Sequence, residues 1–456
     1  QIQDLEKLIG LSRKEAISKL VAGIRSNSWT QSPVWSQQAA PPFWGRSDLN
    51  RSERNLFDTM REKEFRDLQR WWIEEIAQTP SPLTERMVLF WHNYFVSAFS
   101  SLNGWSIALA RQNQMFRRLC IGSFRDLLIA VLQDPAMLNY LDNDKNRKQR
   151  PNENLGRELM ELFTLGEGHF TEKDVKDASR ALTGWRVSRA KNLSFWNDGW
   201  THDKGHKLIL GREGKFGPLN LVDILLDQPQ TASYITRKFW RYFISETWDE
   251  PKEIRQIASN FRNSSYNLKL LLKDILSSEA FWSLRARGTI VKSPADFVIG
   301  SIRTFQVSPK YVDELPSIMT KMGQELFNHP NVGGWPGGSS WVTPSGIIER
   351  INFSKRLLSS REIMKNYEIP ESFLSNRNRS SVKKEATINV FGTMKLEDDV
   401  SYQFSARSFL TRWARGFTKT KRPVLTFGFV DAKIGERKWR TLTVRLEIHP
   451  SFGLLM

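Results

Sequence analysis

The stretch LTERMVLFWHNYFVSAF, residues 83–99, decides the fold class, because apolar side chains would occupy nearly every face of a helix formed from it. A helix that is apolar all round has to lie inside a protein. Other helices must then cover it on several sides. The stretch therefore predicts the centre of a mainly α, multi-helix globular domain.

Helical periodicity continues on both sides of this stretch. Residues 52–78 have the pattern of a long helix with alternating charges, and residues 123–142 that of a helix interrupted at Pro135. Ser12 and Glu15 have the spacing of a capping box, which marks the start of a helix. Together these signals predict a helical domain over residues 1–365.

Two regions depart from the helical pattern. Residues 194–217 hold too many glycines and aromatic residues for a helix, so we expect a structured loop or a small hairpin there. After about residue 370, β-branched alternation and turn residues take over. Residues 366–456 are therefore expected to form a small C-terminal β-containing segment.

Bulk composition is that of a soluble globular protein, with 456 residues, 40% of them hydrophobic and 25% charged. No stretch approaches the roughly 18 continuous apolar residues that a transmembrane segment needs. The single cysteine, Cys120, excludes an intrachain disulfide. A chain that starts at Gln1 agrees with removal of a signal peptide or with trimming.

The net charge of +18 favours anionic partners. An anionic polymer, lipid headgroups and an acidic protein all fit, and a solvated basic surface is the simplest reading. The densest basic cluster of the helical part is KNRKQR, residues 145–150. Nucleic acid is an unlikely partner, because the chain has no zinc-finger or RNP-type signature.

The stretch NENLGRELMELFTLGEG, residues 152–168, predicts an amphipathic helix with an unusual polar stripe. Asn154, Arg157, Glu158 and Glu161 fall within an arc of roughly 100° on such a helix. Two neighbouring carboxylates repel, so one pKa should rise, which suits a general acid. The alternatives are a divalent-cation site or a surface neutralised by Arg157 and nearby lysines.

Histidines supply the other candidate chemistry. His92 lies in the apolar helix, where it would either act with a carboxylate in acid–base or metal chemistry or serve as a hydrogen-bonded core residue. The sequence HDKGHK offers His202, Asp203 and His206, but Gly205 argues against the helical spacing of a zinc site. We expect a polar loop that closes over the helix described above.

The stretch GGWPGGSSW, residues 333–341, is rich in glycine around Trp335 and Pro336. Its glycines, Gly337 among them, would let backbone amides approach a ligand's anionic group. The alternative is a tight structural corner anchored by tryptophans. The sequence lacks the lysine and spacing of a nucleotide-binding P-loop.

Four stretches follow one another along the chain: RMVLFWHNYFVS (86–97), NENLGRELMELFTLGEGHFTEKDVKDASRALTGW (152–185), HDKGHKLILG (202–211) and NVGGWPGGSSWVTPS (331–345). Together, and in this order, they resemble the bacterial domain of unknown function 1800 family. The resemblance implies a largely helical, exported protein, hence a periplasmic or secreted location. It also implies a partner protein encoded beside it that resembles sulfatases and phosphatases. It carries no established activity.

Two functions therefore stay open, and so does the question of whether the protein is an enzyme. The first is a hydrolase that acts on an envelope or extracellular polymer through a cleft formed by histidine, glutamate and arginine. The second is a non-catalytic binding or assembly module for a partner protein or a polyanion. The sequence specifies neither a metal nor a cofactor.

Under the first reading we expect the polar residues to converge on one cleft, because buried polar groups must find partners. The catalytic candidates are His92, Glu158 and Asp203. The ligand-binding candidates are Asn152, Glu153, Asn154, Arg157, His202, Trp335 and Gly337. An enzyme would show Glu158 at the wall of an open pocket. A binding module would show these groups sealed and mutually satisfied, with an exposed basic or aromatic surface; seventeen tryptophans would suit stacking on sugars.

Overall fold

A computed structural model describes residues 7–39, 49–102, 105–188, 192–307 and 313–358, together with the backbone of three strands beyond them. The described part is mostly helical, as the sequence predicts. No helix within it combines the length and apolar character needed to cross a membrane.

The α-helices, numbered in chain order, are listed with their bounds. They are α1 Arg13–Ala22, α2 Arg51–Gln78, α3 Pro82–Tyr94, α4 Ser106–Leu119, α5 Phe124–Leu132, α6 Pro135–Tyr140, α7 Asn154–Glu161, α8 Glu172–Ala181, α9 Pro218–Asp227, α10 Pro229–Phe243, α11 Pro251–Asn263, α12 Leu268–Ser277, α13 Glu279–Trp282, α14 Pro294–Phe305, α15 Leu315–Lys321 and α16 Pro344–Leu358.

The strands form small antiparallel sheets. They are β1 Trp185–Ser188 with β2 Ser194–Asn197, β3 Lys207–Ile209 with β4 Arg212–Gly214, and β5 Thr387–Ile388 with β6 Leu425–Lys433 and β7 Glu436–Val444. The pair β3 and β4 is a small hairpin within residues 194–217, one of the two forms expected there, while β2 of the same range pairs with β1, which lies before it.

The chain divides into two compact units. The larger unit contains residues 12–281 and, much later in the chain, residues 325–336; the smaller contains residues 1–11, 282–324 and 337–456. The boundary expected at residue 365 stays a prediction. Apart from β5, β6 and β7, the expected β-containing segment 366–456 lies outside the described residues.

Helix α3 lies at the centre of the larger unit, as its apolar sequence predicts. Met87, Val88 and Trp91 are completely buried, and the helix begins at Pro82, whose fixed φ suits a first helical position. A buried ion pair joins α3 to α4, because Arg117 donates to both carboxylate oxygens of Glu85 at 2.7 Å. Pairing is essential there, since a lone buried charge would be strongly destabilising.

Local signals also set the ends of several helices. Ser12 and Glu15 form the expected capping box at the start of α1. The sequence break at Pro135 separates α5 from α6, where Asp134 caps the second helix through the Met137 N–H. These bonds satisfy backbone N–H groups that the first turn of a helix leaves free.

Candidate functional site

His92 is completely buried in α3 and belongs to an aromatic cluster. Its ring centroid lies 4.9 Å from Trp72, 5.0 Å from Phe327, 4.5 Å from His329 and 5.7 Å from Trp335. We call these five residues the histidine cluster. Its position matches the core histidine that the sequence left open as one alternative.

The hydrogen bonding of His92 indicates a neutral imidazole. Its Nε2 accepts the Phe327 N–H at 3.1 Å, so the ring proton resides on Nδ1, which has no partner among the described residues. Burial and the neighbouring His329 hold the pKa of His92 well below its usual range. No substrate in solution can reach this ring, because its exposed fraction is 0%.

His329 is a cluster member that sequence reasoning missed. Burial lowers the pKa of its imidazole to about 3, although the nearby Ser97 backbone acts in the opposite direction. Within the described ranges, neither ring nitrogen makes a hydrogen bond of normal geometry. The available signal was its place beside Pro330, next to the glycine-rich stretch.

Residues 325–336, which we call the strap, bring His329 and Trp335 to α3. The Trp335 N–H donates to Asn93 Oδ1 at 2.7 Å. Gly334 has a φ of +81°, and a Cβ on it would stand 2.5 Å from the same oxygen. Glycine is therefore required there by both backbone conformation and close approach.

The start of α7 forms a surface group made of residues proposed for ligand binding. Arg157 pairs with Glu153 at 3.2 Å and with Glu172 of α8 at 2.7 Å. Those bonds raise the pKa of Arg157, Glu172 contributing most. Asn152 Oδ1 accepts the Asn154 N–H at 2.9 Å, which orders the chain just before the helix.

Glu158 differs from its neighbours because its carboxylate is half-buried and has no hydrogen-bond or ion-pair partner among the described residues. Burial raises its pKa, Glu161 raises it further, and Arg157 acts in the opposite direction. Burial raises the pKa of Tyr140, and the charge of Glu158 raises it further. The pKa is thus raised at Glu158, as expected for one of the two glutamates, but burial contributes more than the repulsion from Glu161 on which the expectation rested.

The loop after β2 locks Asp203 instead of offering it to a substrate. Arg180 donates to both Asp203 oxygens at 2.8 and 3.3 Å, and the buried Lys207 donates to the Asp203 carbonyl at 2.6 Å. Burial would raise the pKa of Asp203, but the bonds from Arg180 and the Gly205 N–H lower it below its usual value. Asp203 is therefore a permanent anion in an ion pair.

The same loop packs against α8, and not over α7 as the sequence suggested. Asp177 and Asp174 of α8 accept the backbone N–H groups of Leu208 and Leu210 at 2.8 and 2.7 Å. His202 Nδ1 lies 2.8 Å from the Thr183 carbonyl, which can only accept, so Nδ1 carries the proton. Its Nε2 lone pair has no partner among the described residues.

Gly337, the last predicted ligand residue, lies in the smaller unit. Its φ of +73° explains the glycine, and a 3₁₀ turn, Gly338–Trp341, follows directly. Trp341, which belongs to the same unit, is buried. These features agree with the structural corner that the sequence left open.

The structure brings some of the predicted residues together and keeps others apart. His92 contacts Trp335, Glu153 contacts Arg157, and His202 adjoins Asp203. Within the described ranges, no hydrogen bond, ion pair or ring contact joins Glu158 to either histidine. The contacts of the described residues therefore form separate groups, and the single cleft expected from the sequence stays a prediction. The described residues also contain no group of three or more His, Cys, Asp or Glu side chains that could hold a metal.

A different set of residues forms an open surface on the larger unit. The turn 147–150, closed by reciprocal backbone bonds between Arg147 and Arg150, joins the loop after β2 because the Lys148 N–H donates to the Thr201 carbonyl at 2.9 Å. Trp196 and Trp200 of that region are 46% and 88% exposed. We call this set the Trp/Arg surface: Arg147, Lys148, Arg150, Trp196 and Trp200.

The cations of the Trp/Arg surface are free to meet a ligand. Arg147, Lys148 and Arg150 are exposed, and none forms an ion pair with the residues that the structure describes. Neighbouring Lys145, by contrast, pairs with Asp142 at 2.6 Å. The sequence showed both halves of this surface as separate clusters, but the backbone bond that joins them has no local signal.

Comparisons with known proteins give a family and no more. No curated protein and no solved structure matches the chain. The family model described as a protein of unknown function, DUF1800, matches residues 2–424, which confirms the resemblance carried by the four motifs. The chain therefore belongs to the DUF1800 family of proteins of unknown function.

Proposed function

We propose that this protein binds an anionic polymer through the Trp/Arg surface and that most of its polar motifs serve the scaffold. We propose a polymer of the cell envelope or the extracellular space, because the family resemblance implies an exported protein. The proposal follows the binding-module alternative, since His92 and Asp203 are sealed or paired while a basic, aromatic surface is exposed.

The exposure of Trp200 is the observation that carries the proposal. An indole that is 88% exposed forgoes most of the hydrophobic stabilisation its burial would give. Its backbone is nevertheless ordered, because the Trp200 N–H donates to Asp198 Oδ1 at 3.2 Å. An ordered, exposed aromatic residue beside unpaired cations suits a binding surface.

Electrostatics supports an anionic ligand at this place. The chain carries 67 basic against 49 acidic residues, so its net charge attracts a polyanion at long range without favouring any one site. Local recognition requires cations whose charge is not already neutralised, and the turn 147–150 supplies them. Binding through such cations should weaken steeply as salt is added.

A charge-matched pair of variants tests the proposal. The first combines Arg147→Gln, Lys148→Gln and Arg150→Gln; the control combines Lys252→Gln, Arg255→Gln and Lys269→Gln, which are exposed elsewhere on the larger unit. Both lower the net charge by three. With dextran sulfate as the probe, we expect affinity to fall about tenfold or more in the first variant and little in the control.

Equal losses in the two variants would contradict the proposal, because they would indicate attraction by net charge without a site. The same titration against uncharged dextran should give no measurable binding. An acidic partner protein, another partner that the net charge favours, would be indicated by loss of its capture in the first variant together with unchanged affinity for dextran sulfate.

Glu158 favours a second candidate, a hydrolase acting on the same kind of polymer. A half-buried, unpaired carboxyl with a raised pKa can donate a proton to a leaving group, and Glu161 supplies a second carboxylate one turn away. His92 and Asp203 have no direct part in this version, since the structure seals one and pairs the other.

Reducing-end release from acidic polysaccharides tests this second candidate. Glu158→Gln should lower the rate by about 100-fold or more, because it removes the proton donor and keeps the shape. The matched control is Glu167→Gln, an exposed residue shortly after α7. Comparable activity in Glu158→Gln and the wild type would remove Glu158 from any catalytic role.

A further inference from the structure

We infer that the ligand of the Trp/Arg surface is an acidic polysaccharide, one of whose sugar rings stacks on Trp200 while its acidic groups meet the turn 147–150. This inference rests on the proposed binding function and names the class of polymer. The geometry of the two tryptophans, the layout of the cations and the free polar groups nearby each contribute to it.

The two tryptophans offer different faces. Trp196 pairs across β1 and β2 with Arg186, whose guanidinium lies 5.7 Å from the indole centroid and covers one face. Arg186 is held there by bonds to Asp198 Oδ2 at 3.1 Å and to the Asp144 carbonyl at 3.3 Å. Trp196 thus presents its remaining face from a fixed position.

Trp200 has no such cover. No ring or cation among the described residues contacts its indole, so both of its faces are open. Flat, electron-rich faces of this kind stack on the C–H groups of pyranose rings as well as on nucleic-acid bases. Among anionic polymers, the open indole faces therefore favour two classes of ligand, polysaccharides and nucleic acids.

The layout of charge favours the polysaccharide. Proteins that bind single-stranded nucleic acid line a continuous basic groove with several aromatic side chains, because phosphates follow at every nucleotide. Here, among the described residues, the free cations of the Trp/Arg surface lie in one turn, 147–150, while the charge of Arg186 is already offset by Asp198. Acidic polysaccharides carry carboxylates or sulfates on some sugar units and hydroxyls throughout, which suits one cationic turn beside an aromatic pair.

Free hydrogen-bonding groups nearby match sugar hydroxyls. His202 holds its proton on Nδ1 toward the Thr183 carbonyl, which leaves the Nε2 lone pair available as an acceptor. The side-chain amides of Gln149 and Asn197 are exposed and form no hydrogen bond with described residues. A hydroxyl both donates and accepts, so this mixture of acceptor and amide groups can satisfy it.

Polygalacturonate and its methyl-esterified form provide the test, because they share a backbone and differ in charge. Single-stranded DNA of equal charge, at the same ionic strength, provides the comparison with nucleic acid. Affinity is measured by indole fluorescence and by sedimentation for the wild type, Trp200→Ala and the control Trp29→Ala, an indole that is 53% exposed elsewhere on the larger unit.

We expect polygalacturonate to bind more tightly than both the ester and the DNA. Trp200→Ala should weaken its binding about tenfold, the size of one lost stacking contact, while Trp29→Ala leaves it unchanged. His202→Gln should weaken polygalacturonate and its ester by the same factor, since the imidazole meets hydroxyls that both polymers carry.

The outcomes distinguish failure of the polysaccharide inference from failure of the proposed polyanion binding. Tighter binding of DNA, lost in Trp200→Ala, would overturn the polysaccharide and leave polyanion binding standing. Equal polygalacturonate affinity in the wild type and Trp200→Ala would overturn the stacking and with it the inference. Failure of every anionic probe, dextran sulfate included, would overturn the proposed function as well.

Discussion

The histidine cluster and the Trp/Arg surface combine tryptophan with nitrogen-bearing side chains in opposite settings. In the cluster, burial keeps His92 and His329 neutral, and Trp335 packs against His329 at 3.9 Å between ring centroids. On the surface, the cations are exposed, and Trp200 has no ring partner in the part of the chain that the structure describes. Similar residue types therefore serve the fold where they are sealed and become available to a ligand where they are open.

Removing the buried tryptophan should have the largest effect on stability. Trp335→Ala deletes a ring that is 5% exposed and leaves a cavity beside His329, so we expect a loss of about 3–5 kcal/mol in the free energy of unfolding. Urea denaturation followed by circular dichroism measures it. A loss below about 1 kcal/mol would mean that the strap is not part of the core.

Closing the gap at Gly334 should cost nearly as much. Gly334→Ala adds a Cβ that would stand 2.5 Å from Asn93 Oδ1 at a φ of +81°, so we expect about 3 kcal/mol of destabilisation. The control is Gly168→Ala, which has a φ of +80° and nothing within 4 Å of the added atom. Gly168→Ala should lower the free energy of unfolding by about 1 kcal/mol. Equal losses in the two variants would show that the close approach to Asn93 is unimportant.

Acid should weaken the cluster through His329. A pKa of about 3 in the folded state, against 6.5 unfolded, means that the unfolded chain binds the proton first as the pH falls. Stability is then lost below about pH 6.5, by about 2 kcal/mol between pH 7 and pH 5 for this histidine. His92, whose pKa is also lowered, adds to the loss.

Comparing the wild type with His329→Gln isolates this contribution. Burial raises the pKa of Asp134 to about 7. This carboxyl therefore favours the folded state increasingly as the pH falls, which opposes the effect of His329. The contribution of Asp134 is the same in both proteins. Between pH 7 and pH 5, His329→Gln should lose about 2 kcal/mol less unfolding free energy than the wild type. His206→Gln, in an exposed loop, should keep the wild-type difference. An unchanged difference in His329→Gln would argue against a buried neutral imidazole.

The smallest effect should come from the exposed tryptophan. Trp200→Ala removes an indole that is 88% exposed, so we expect the free energy of unfolding to change by less than about 0.5 kcal/mol. Thermal unfolding beside Trp335→Ala measures the contrast directly. A large loss would show that Trp200 supports the fold, and the comparison between the two regions would fail.

Features encoded by neighbouring residues were predictable from the sequence. The burial of α3, the capping box at Ser12 and the break at Pro135 all depend on side chains a few positions apart. For the raised pKa of Glu158 burial is the larger cause, and only the smaller cause, Glu161 one helical turn away, is local in this sense. Periodicity and capping express the same local geometry that the helices then adopt.

Features that depend on distant residues were not predictable. His92 and Phe327 are 235 positions apart, and nothing near either residue indicates their hydrogen bond. Arg157 finds Glu172 on the next helix, and the turn at Lys148 meets Thr201 through backbone atoms alone. A backbone contact leaves no side-chain pattern, so the Trp/Arg surface appeared in the sequence only as two unrelated clusters.

The position of the strap in the chain has a consequence for biosynthesis. The larger unit is complete only when residues 325–336 have joined residues 12–281. During synthesis, α3 leaves the ribosome long before the residues that cover His92 exist, and the aromatic rings of Trp72 and His92 stay uncovered meanwhile. A nascent chain ending before residue 325 should thus be a natural client for chaperones.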